Sequence, residues 1–347
     1  AVKEYIEAMN ALAHDVHATK WEKNEKAPNL EIDCSQLIIS ADLVLESLKL
    51  PRIDFRGSRF WGEVFLAKII FTGPILFSGC IFRRKLFMNS LIFGNRSDFS
   101  CMQLLDAAYF RSISFPYPDE VSFSETQFQK KVEFSDIDAK TSLNFKLMEF
   151  DDEAKFDNSQ FSLVDFTNTK FSQAISFEKD EFNGAPLFHG AEMQEGTTFS
   201  GCRFKPSHGL GGWTNRDYVG FRTLKLKMAS FRAQREEAYF YALELRAGRT
   251  SLLEPSSLMK YVISLIYDVG SEYGQSPGRA ISIFFIWNGL FYLIYRLLNY
   301  WSEIFKFKTI LGRPEANALL AQYPEFSLVL QSAFNPLALF SDKAIAA

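Results

Sequence analysis

Histidine and cysteine are both scarce in this 347-residue chain, at four of each, and that shortage removes the usual raw material of metal centres and disulfide frameworks. Cys34, Cys80, Cys101 and Cys202 stand far apart with no CxxC pair, a pattern that reads as free, buried, structural thiols in a reducing compartment. His14 and His17 lie three apart with no other ligand type nearby, which fits a solvated helix face. No glycine-rich run precedes a helix, so no phosphate loop is expected. No nucleophile, base and orienting group recur at a recognisable spacing. The expectation is therefore a non-enzymatic chain with no catalytic residue, no cofactor and no metal site. Charge of one sign is also lacking: the net charge is −3, so bulk electrostatics selects no partner, and the 47% apolar content is ordinary for a globular chain.

What the chain has in excess is phenylalanine, 36 residues in all, of which 25 fall between Phe55 and Phe204. Of the 24 gaps between those 25, 12 are five residues and 8 are six. Three more are eleven, which is five plus six with Leu104, Ala139 or Met193 filling the missing rung. The one irregular gap, eight residues from Phe115 to Phe123, contains Pro116, Tyr117 and Pro118 and reads as a loop pushed out of the repeat. Neither a helix of 3.6 residues per turn nor a strand of period two keeps such spacing on one face. A chain wound into a solenoid does, because each straight segment contributes one large inward residue and successive coils stack them. Phe60, Phe65, Phe82, Phe87, Phe128, Phe145, Phe150, Phe156, Phe161, Phe166, Phe171, Phe177 and Phe182 are expected as rungs of this interior ladder. Ser58, Cys80, Ala108, Thr126, Ser159 and Cys202, each two residues before a rung, are small, as close packing between rings requires.

Segments such as FDNSQFSLVDFTNTKF (156 to 171) and FSGCIFRRKLF (77 to 87) resemble the pentapeptide-repeat proteins, with Phe at the central position. The resemblance implies a mostly β fold, a right-handed quadrilateral parallel β-helix, over residues 28–206. The frequent sixes depart from a strict pentapeptide period, and an extra residue at a corner on alternate sides accounts for them, giving about 21 to 22 residues per coil. A left-handed triangular helix of hexapeptides is the rival, and the twelve fives count against it.

Residues 1–27 read as an N-terminal capping helix, with Ile6, Met9, Ala13 and Val16 at helical spacing, followed by a charged connector. Ala1 leaves open whether an upstream segment is missing, and the end at Ala347 leaves the same question. Residues 216–275 read as an amphipathic helical collar. Its first part, with Leu224, Met228, Phe231, Ala238 and Leu245 on one face, suggests one helix of about 30 residues ended by Gly248. A second amphipathic segment runs from Leu258 to Val269, and YGQSPGR (273 to 279) breaks the helix after it. Residues 276–347 form the membrane region. The uncharged run from Ala280 to Tyr295 places Phe284, Phe285, Trp287, Asn288, Phe291 and Tyr292 in a transmembrane helix over 280–300. A second apolar run, 326–340, contains Pro336 and is a candidate second crossing or re-entrant segment. FRTLKLKMASFRAQREEAYFYALELRA (221 to 247) with IYDVGSEYGQSPGRA (266 to 280) is similar to a pentapeptide-repeat subgroup whose C-terminal membrane region resembles a two-helix channel module.

Between residues 115 and 200 there are 17 Asp and Glu against 7 Lys. Asp136, Asp138, Asp151, Asp152, Asp157 and Asp165 are the candidates for an acidic protein-binding face, although polar outward positions are also what solubility demands. The function expected is a membrane-anchored scaffold or sensor whose rod binds an unidentified protein, homo-oligomeric through its membrane part, with a channel or membrane effector as its sharpest form. Membrane lipid is the second partner, and no direct nucleic-acid binding is expected. The alternative is a DNA-mimicking inhibitor or protector of a type II topoisomerase, which the resemblance implies for some members. Lys and Arg exceed acids between 216 and 260, nine to five, which favours a bacterial inner membrane with the β-helix in the cytoplasm. Lys306, Lys308 and Arg313 on the far flank weaken that orientation.

Overall fold

The computed structural model describes residues 3–8, 31–116, 119–206, 212–249 and 258–311. The expectations for 9–27, including His14 and His17, for Tyr117 and Pro118, and for the apolar run 326–340 lie outside those residues.

Residues 31–205 wind into a parallel β-solenoid of about eight turns. Short strands recur in register: Ile38, Arg59, Ile81, Gln103, Gln127, Glu149 and Lys170 are successive Cα partners, at steps of 21, 22, 22, 24, 22 and 21 residues. The step of 24 spans the long interval from Phe115 to Phe123, and the register is the same on either side of it.

Four inward columns of large, mostly aromatic rungs run the length of the solenoid. The first is Phe55, Phe77, Phe99, Phe123, Phe145, Phe166 and Phe188, with successive ring centroids 4.7 to 5.7 Å apart. The second is Phe60, Phe82, Leu104, Phe128, Phe150, Phe171 and Met193. The third passes through Leu45, Leu66 and Met88 to Phe110, Phe134, Phe156, Phe177 and Phe199. The fourth holds Leu50, Phe71, Phe93, Phe115, Ala139, Phe161, Phe182 and Phe204. Leu104, Ala139 and Met193 thus occupy the three vacant rungs, and all are buried.

Two of the expected rungs are not rungs. Phe65 is 37% exposed and Phe87 is half-buried, because Leu66 and Met88 take their places in the third column. Neighbouring residues of a strand point to opposite faces, and each of these phenylalanines is flanked on both sides by an aliphatic residue, Val64 and Leu66 or Leu86 and Met88, that goes inside instead. With this correction the spacing becomes regular. It is five from first to second column, six from second to third, five from third to fourth, and usually six from fourth back to first.

Backbone geometry explains the alternation. Each five-residue segment turns through one left-handed residue placed two after a rung. After the first column these are Gly57, Gly79, Cys101, Glu125, Leu147, Asn168 and Gly190. After the third they are Ser47, Lys68, Ser90, Ser112, Asp136, Asn158, Lys179 and Gly201. Cys101 consequently sits exposed at a turn, contrary to the expectation that it is interior, whereas Cys34, Cys80 and Cys202 are buried.

The collar is two helices, not one of 30 residues. Asn215–Ser230 and Gln234–Gly248 pack on each other across a turn in which Arg232 is left-handed (φ 58°). The break lets both helices reach the last coil: Phe221 lies 5.6 Å from Phe204, and Phe240 lies 5.1 Å from Phe199 and 5.6 Å from Phe204, all edge-on. Thr214 and Asp217 form a capping box at the start of the first helix, and the Asp217 carboxylate also accepts a bond from the Ala185 backbone N–H at 2.7 Å. At the other end, residues 3–8 are helical and Ile6 is fully buried in the same continuous core. A further helix, Leu258–Ser271, completes the first compact unit, which ends at Gln275. The second unit begins at Ser276, and its described part is one helix, Pro277–Leu311.

Candidate functional site

The interior of the solenoid is filled with rings and aliphatic chains, so a site on the solenoid has to lie on its outer surface. The register places the six candidate carboxylates around the coil rather than on one face, which corrects the expectation of a single acidic face. Asp136, Asp138 and Asp157 lie between the third and fourth columns, Asp151 and Asp152 follow the second, and Asp165 precedes the first. The reason is the short repeat: every five or six residues the chain moves to another part of the circumference.

Most of these groups are engaged within the rod. Asp136 accepts from the Asn158 amide at 2.6 Å, Asp151 from Gln127, and Asp165 pairs with Lys146 at 3.3 Å while accepting from the Thr167 backbone N–H. Asp157 lies 3.9 Å from Lys155, and Asp152 accepts from the Glu153 backbone N–H. Arg111 with Glu133, Lys131 with Glu153, Lys155 with Glu178 and Lys205 with Glu181 repeat the device from coil to coil. Exposed pairs of this kind are worth little individually. Their effect here is to interleave cations among the acids.

The first four coils carry a different surface. Val44, Phe65, Phe87 and Tyr109 are successive partners pointing outward, with Phe87 and Tyr109 stacked at 5.1 Å and Arg111 over the Tyr109 ring. Ile70 and Ile92 form a second outward pair on the neighbouring strands, and Trp61 is 46% exposed beneath the Arg83 guanidinium. Aromatic and arginine side chains exposed together are the composition of protein-contact centres. Phenylalanine spacing alone hides this stripe, because it makes Phe65 and Phe87 look interior. The signal that identifies it is the apolar triplet, Val-Phe-Leu at 64 to 66 and Leu-Phe-Met at 86 to 88, where a half-buried strand would alternate with polar residues.

An open depression lined by Asn95, Arg96, Asp98, Asp119, Glu120 and Asn144 brings no cysteine, histidine or lysine to its carboxylates. Among the described residues no group of three or more His, Cys, Asp or Glu is placed to hold a metal ion. The buried thiols are held protonated. Burial pushes Cys34 up to about 11 and Cys80 and Cys202 up to about 12. The Cys80 thiol also donates to the Phe55 carbonyl and the Cys202 thiol to that of Phe177.

The apolar helix of the second unit is the other candidate element. Pro277–Tyr300 is 24 residues long, sufficient in length and composition to cross a bilayer, and no residue of its most apolar stretch is buried. Phe284, Phe285, Trp287, Phe291 and Tyr292 are all more than 60% exposed. Asn288 donates one N–H of its side-chain amide to the Phe284 carbonyl at 2.7 Å, which satisfies part of its polar group within the helix.

These features define a parallel β-solenoid with a helical cap and a separate apolar helix. No family model matches the chain, and no curated protein or solved structure matches it either.

Proposed function

We propose that the chain is a non-enzymatic, membrane-anchored scaffold whose solenoid presents the aromatic stripe of its first coils to a protein partner. The observation that carries the anchor is the unburied helix Pro277–Tyr300: about 20 apolar residues left in water would expose far more surface than a soluble monomer tolerates. The stripe Val44, Phe65, Phe87 and Tyr109, flanked by Ile70, Ile92 and Trp61, supports the binding role, and the solenoid form supplies a long, rigid display surface. Four inward columns joined at steps of five and six favour the right-handed, four-sided coil of the pentapeptide-repeat proteins, with the rod in the cytoplasm of a bacterial cell and assembly through the membrane helix. A channel is the sharpest form of this reading.

High-speed centrifugation without detergent tests the anchor. The full chain is expected in the pellet, released only by detergent, and recovery in the supernatant would overturn the reading. The stripe is tested by Phe65→Ser with Trp61→Ala, which is expected to keep the fold and abolish co-purification of the partner. Retention of that partner would place the contact elsewhere. The DNA-decoy alternative needs an unbroken acidic surface, and the interleaved Lys131, Lys146 and Lys155 weigh against it.

A further inference from the structure

The helix Leu258–Ser271 is packed inside out for a protein in water. Its half-buried stripe is polar: Tyr261, Ser264, Asp268 and Ser271 recur at helical spacing. Asp268 Oδ1 accepts from Arg246 Nε at 3.0 Å and Nη2 at 2.8 Å, Asp268 Oδ2 pairs with Arg249, and the Ser264 and Tyr273 hydroxyls bond to each other. The opposite stripe, Met259, Val262, Ile263, Ile266 and Val269, is apolar and faces outward, with Met259 72% and Ile266 65% exposed. A surface helix in water buries its apolar stripe and solvates its polar one. Here an ion pair holds the polar stripe against the collar, so the apolar stripe is kept turned away from the protein interior.

Chain connectivity names the occupant. Five residues, 272 to 276, separate this helix from Pro277, the start of the helix long and apolar enough to span a bilayer. Even fully extended, five residues reach about 18 Å, so a spanning helix keeps Leu258–Ser271 near the lipid surface. Lys260 on the exposed side is placed to meet anionic headgroups, and the exposed Tyr267 is of the residue type enriched at that depth.

We propose that Leu258–Ser271 is an in-plane, membrane-surface helix that sinks its Met259, Val262, Ile263, Ile266 and Val269 stripe into the headgroup and acyl boundary. The consequence is that the collar rests on the bilayer by a second contact besides the crossing. This inference rests on the membrane reading above, and the experiment separates the two.

The full chain, with Cys101→Ser to remove its exposed thiol, is reconstituted into vesicles containing anionic phospholipid after introduction of Val262→Cys or Phe285→Cys, each labelled with an environment-sensitive fluorophore. Brominated lipids then quench from known depths. A helix lying about 5 to 10 Å into the boundary should give Val262→Cys quenching about two-fold stronger from shallow than from deep bromines. The Phe285→Cys label should show the reverse preference. Quenching at Phe285→Cys with none at Val262→Cys overturns the surface helix and leaves the anchor standing. Absence of quenching at both overturns both. A Val262→Cys label that escapes lipid quenchers but transfers energy to a second labelled chain would mean another copy covers the stripe, and would also overturn the proposal.

Discussion

At the scale of single residues, Asp180 is the anomaly of the solenoid. Its column continues from Ile113 and Ile137 through Ser159 to Asp180 and Cys202, all inward. In that column the Ser159 hydroxyl accepts from the Ile137 N–H and donates to the Asp157 carbonyl, and Thr126 does the same elsewhere with Met102 and Phe99. Asp180 takes over the acceptor half, receiving the Ser159 N–H at 2.8 Å, but its second oxygen is buried without a partner. Burial, which dominates, pushes its carboxyl up to about 7, with the Asp157 and Glu178 charges adding to the rise. The sign follows from proton uptake. Between the ordinary value of 3.8 and about 7 the folded chain holds a proton that the unfolded chain releases, so stability is full below that window and declines as pH rises through it. Three units correspond to at most about 4 kcal/mol. Asp180→Ser, which restores a hydroxyl that can both accept and donate, should erase that decline. Urea midpoints at about pH 5 and about pH 8 should converge in the variant while the parent loses stability at the higher pH. An unchanged pH slope in the variant would show that Asp180 is not the group responsible.

At the scale of elements, the collar shows what the sequence can and cannot reveal. The helical stripe through Leu224 and Met228 was legible, and so was the end at Gly248. The break at Arg232 was not, since nothing in ASFRAQ resembles a glycine or proline stop. It becomes intelligible only from the solenoid end, where Phe199 and Phe204 need cover that a single straight helix would not supply from both Phe221 and Phe240. The same division holds for the coil. Aromatic spacing exposed the solenoid and its period, but assigning which of two adjacent apolar residues points inward required the register, and Phe65 and Phe87 were misplaced for that reason. The acidic candidates were misread as a face because sequence proximity does not survive a repeat that turns every five or six residues. Gly220 tests the collar seam directly. Glycine inside a helix normally costs about 1 kcal/mol relative to alanine, yet a Cβ here would stand 2.6 Å from that of Ala185 and 3.3 Å from the Pro186 carbonyl oxygen. Gly220→Ala should therefore lower the melting temperature despite its better helix propensity, by an overpacking cost of about 1 to 3 kcal/mol offset by the propensity gain. A stabilised variant would mean the seam is looser than the contacts indicate.

For the whole molecule, the decisive property is that each coil touches only its neighbours, so stability is a sum of local terms and the ends determine where unfolding begins. The rod has no closed sheet to protect its last strands. Among the described residues Thr198–Ser200 and Arg203–Lys205 pair with strands on one side only, and Phe221 and Phe240 pack on the rings at that end. Phe240 is fully buried and meets both Phe199 and Phe204. Truncating it should remove about 3 to 5 kcal/mol, and in a nearest-neighbour solenoid that loss falls on the terminal coil rather than being shared. Amide exchange in Phe240→Ala should accelerate across 198–205, while the long strands Leu86–Phe93 and Ala108–Phe115, stacked between coils on both sides, keep their protection. Equal acceleration in every coil would instead mean that the rod opens as one cooperative body, with the aromatic columns transmitting the loss from end to end. The local outcome bears on the proposed function: an aromatic stripe in the first four coils keeps its shape whatever happens at the collar, so the proposed partner contact and the proposed membrane attachment could be altered independently.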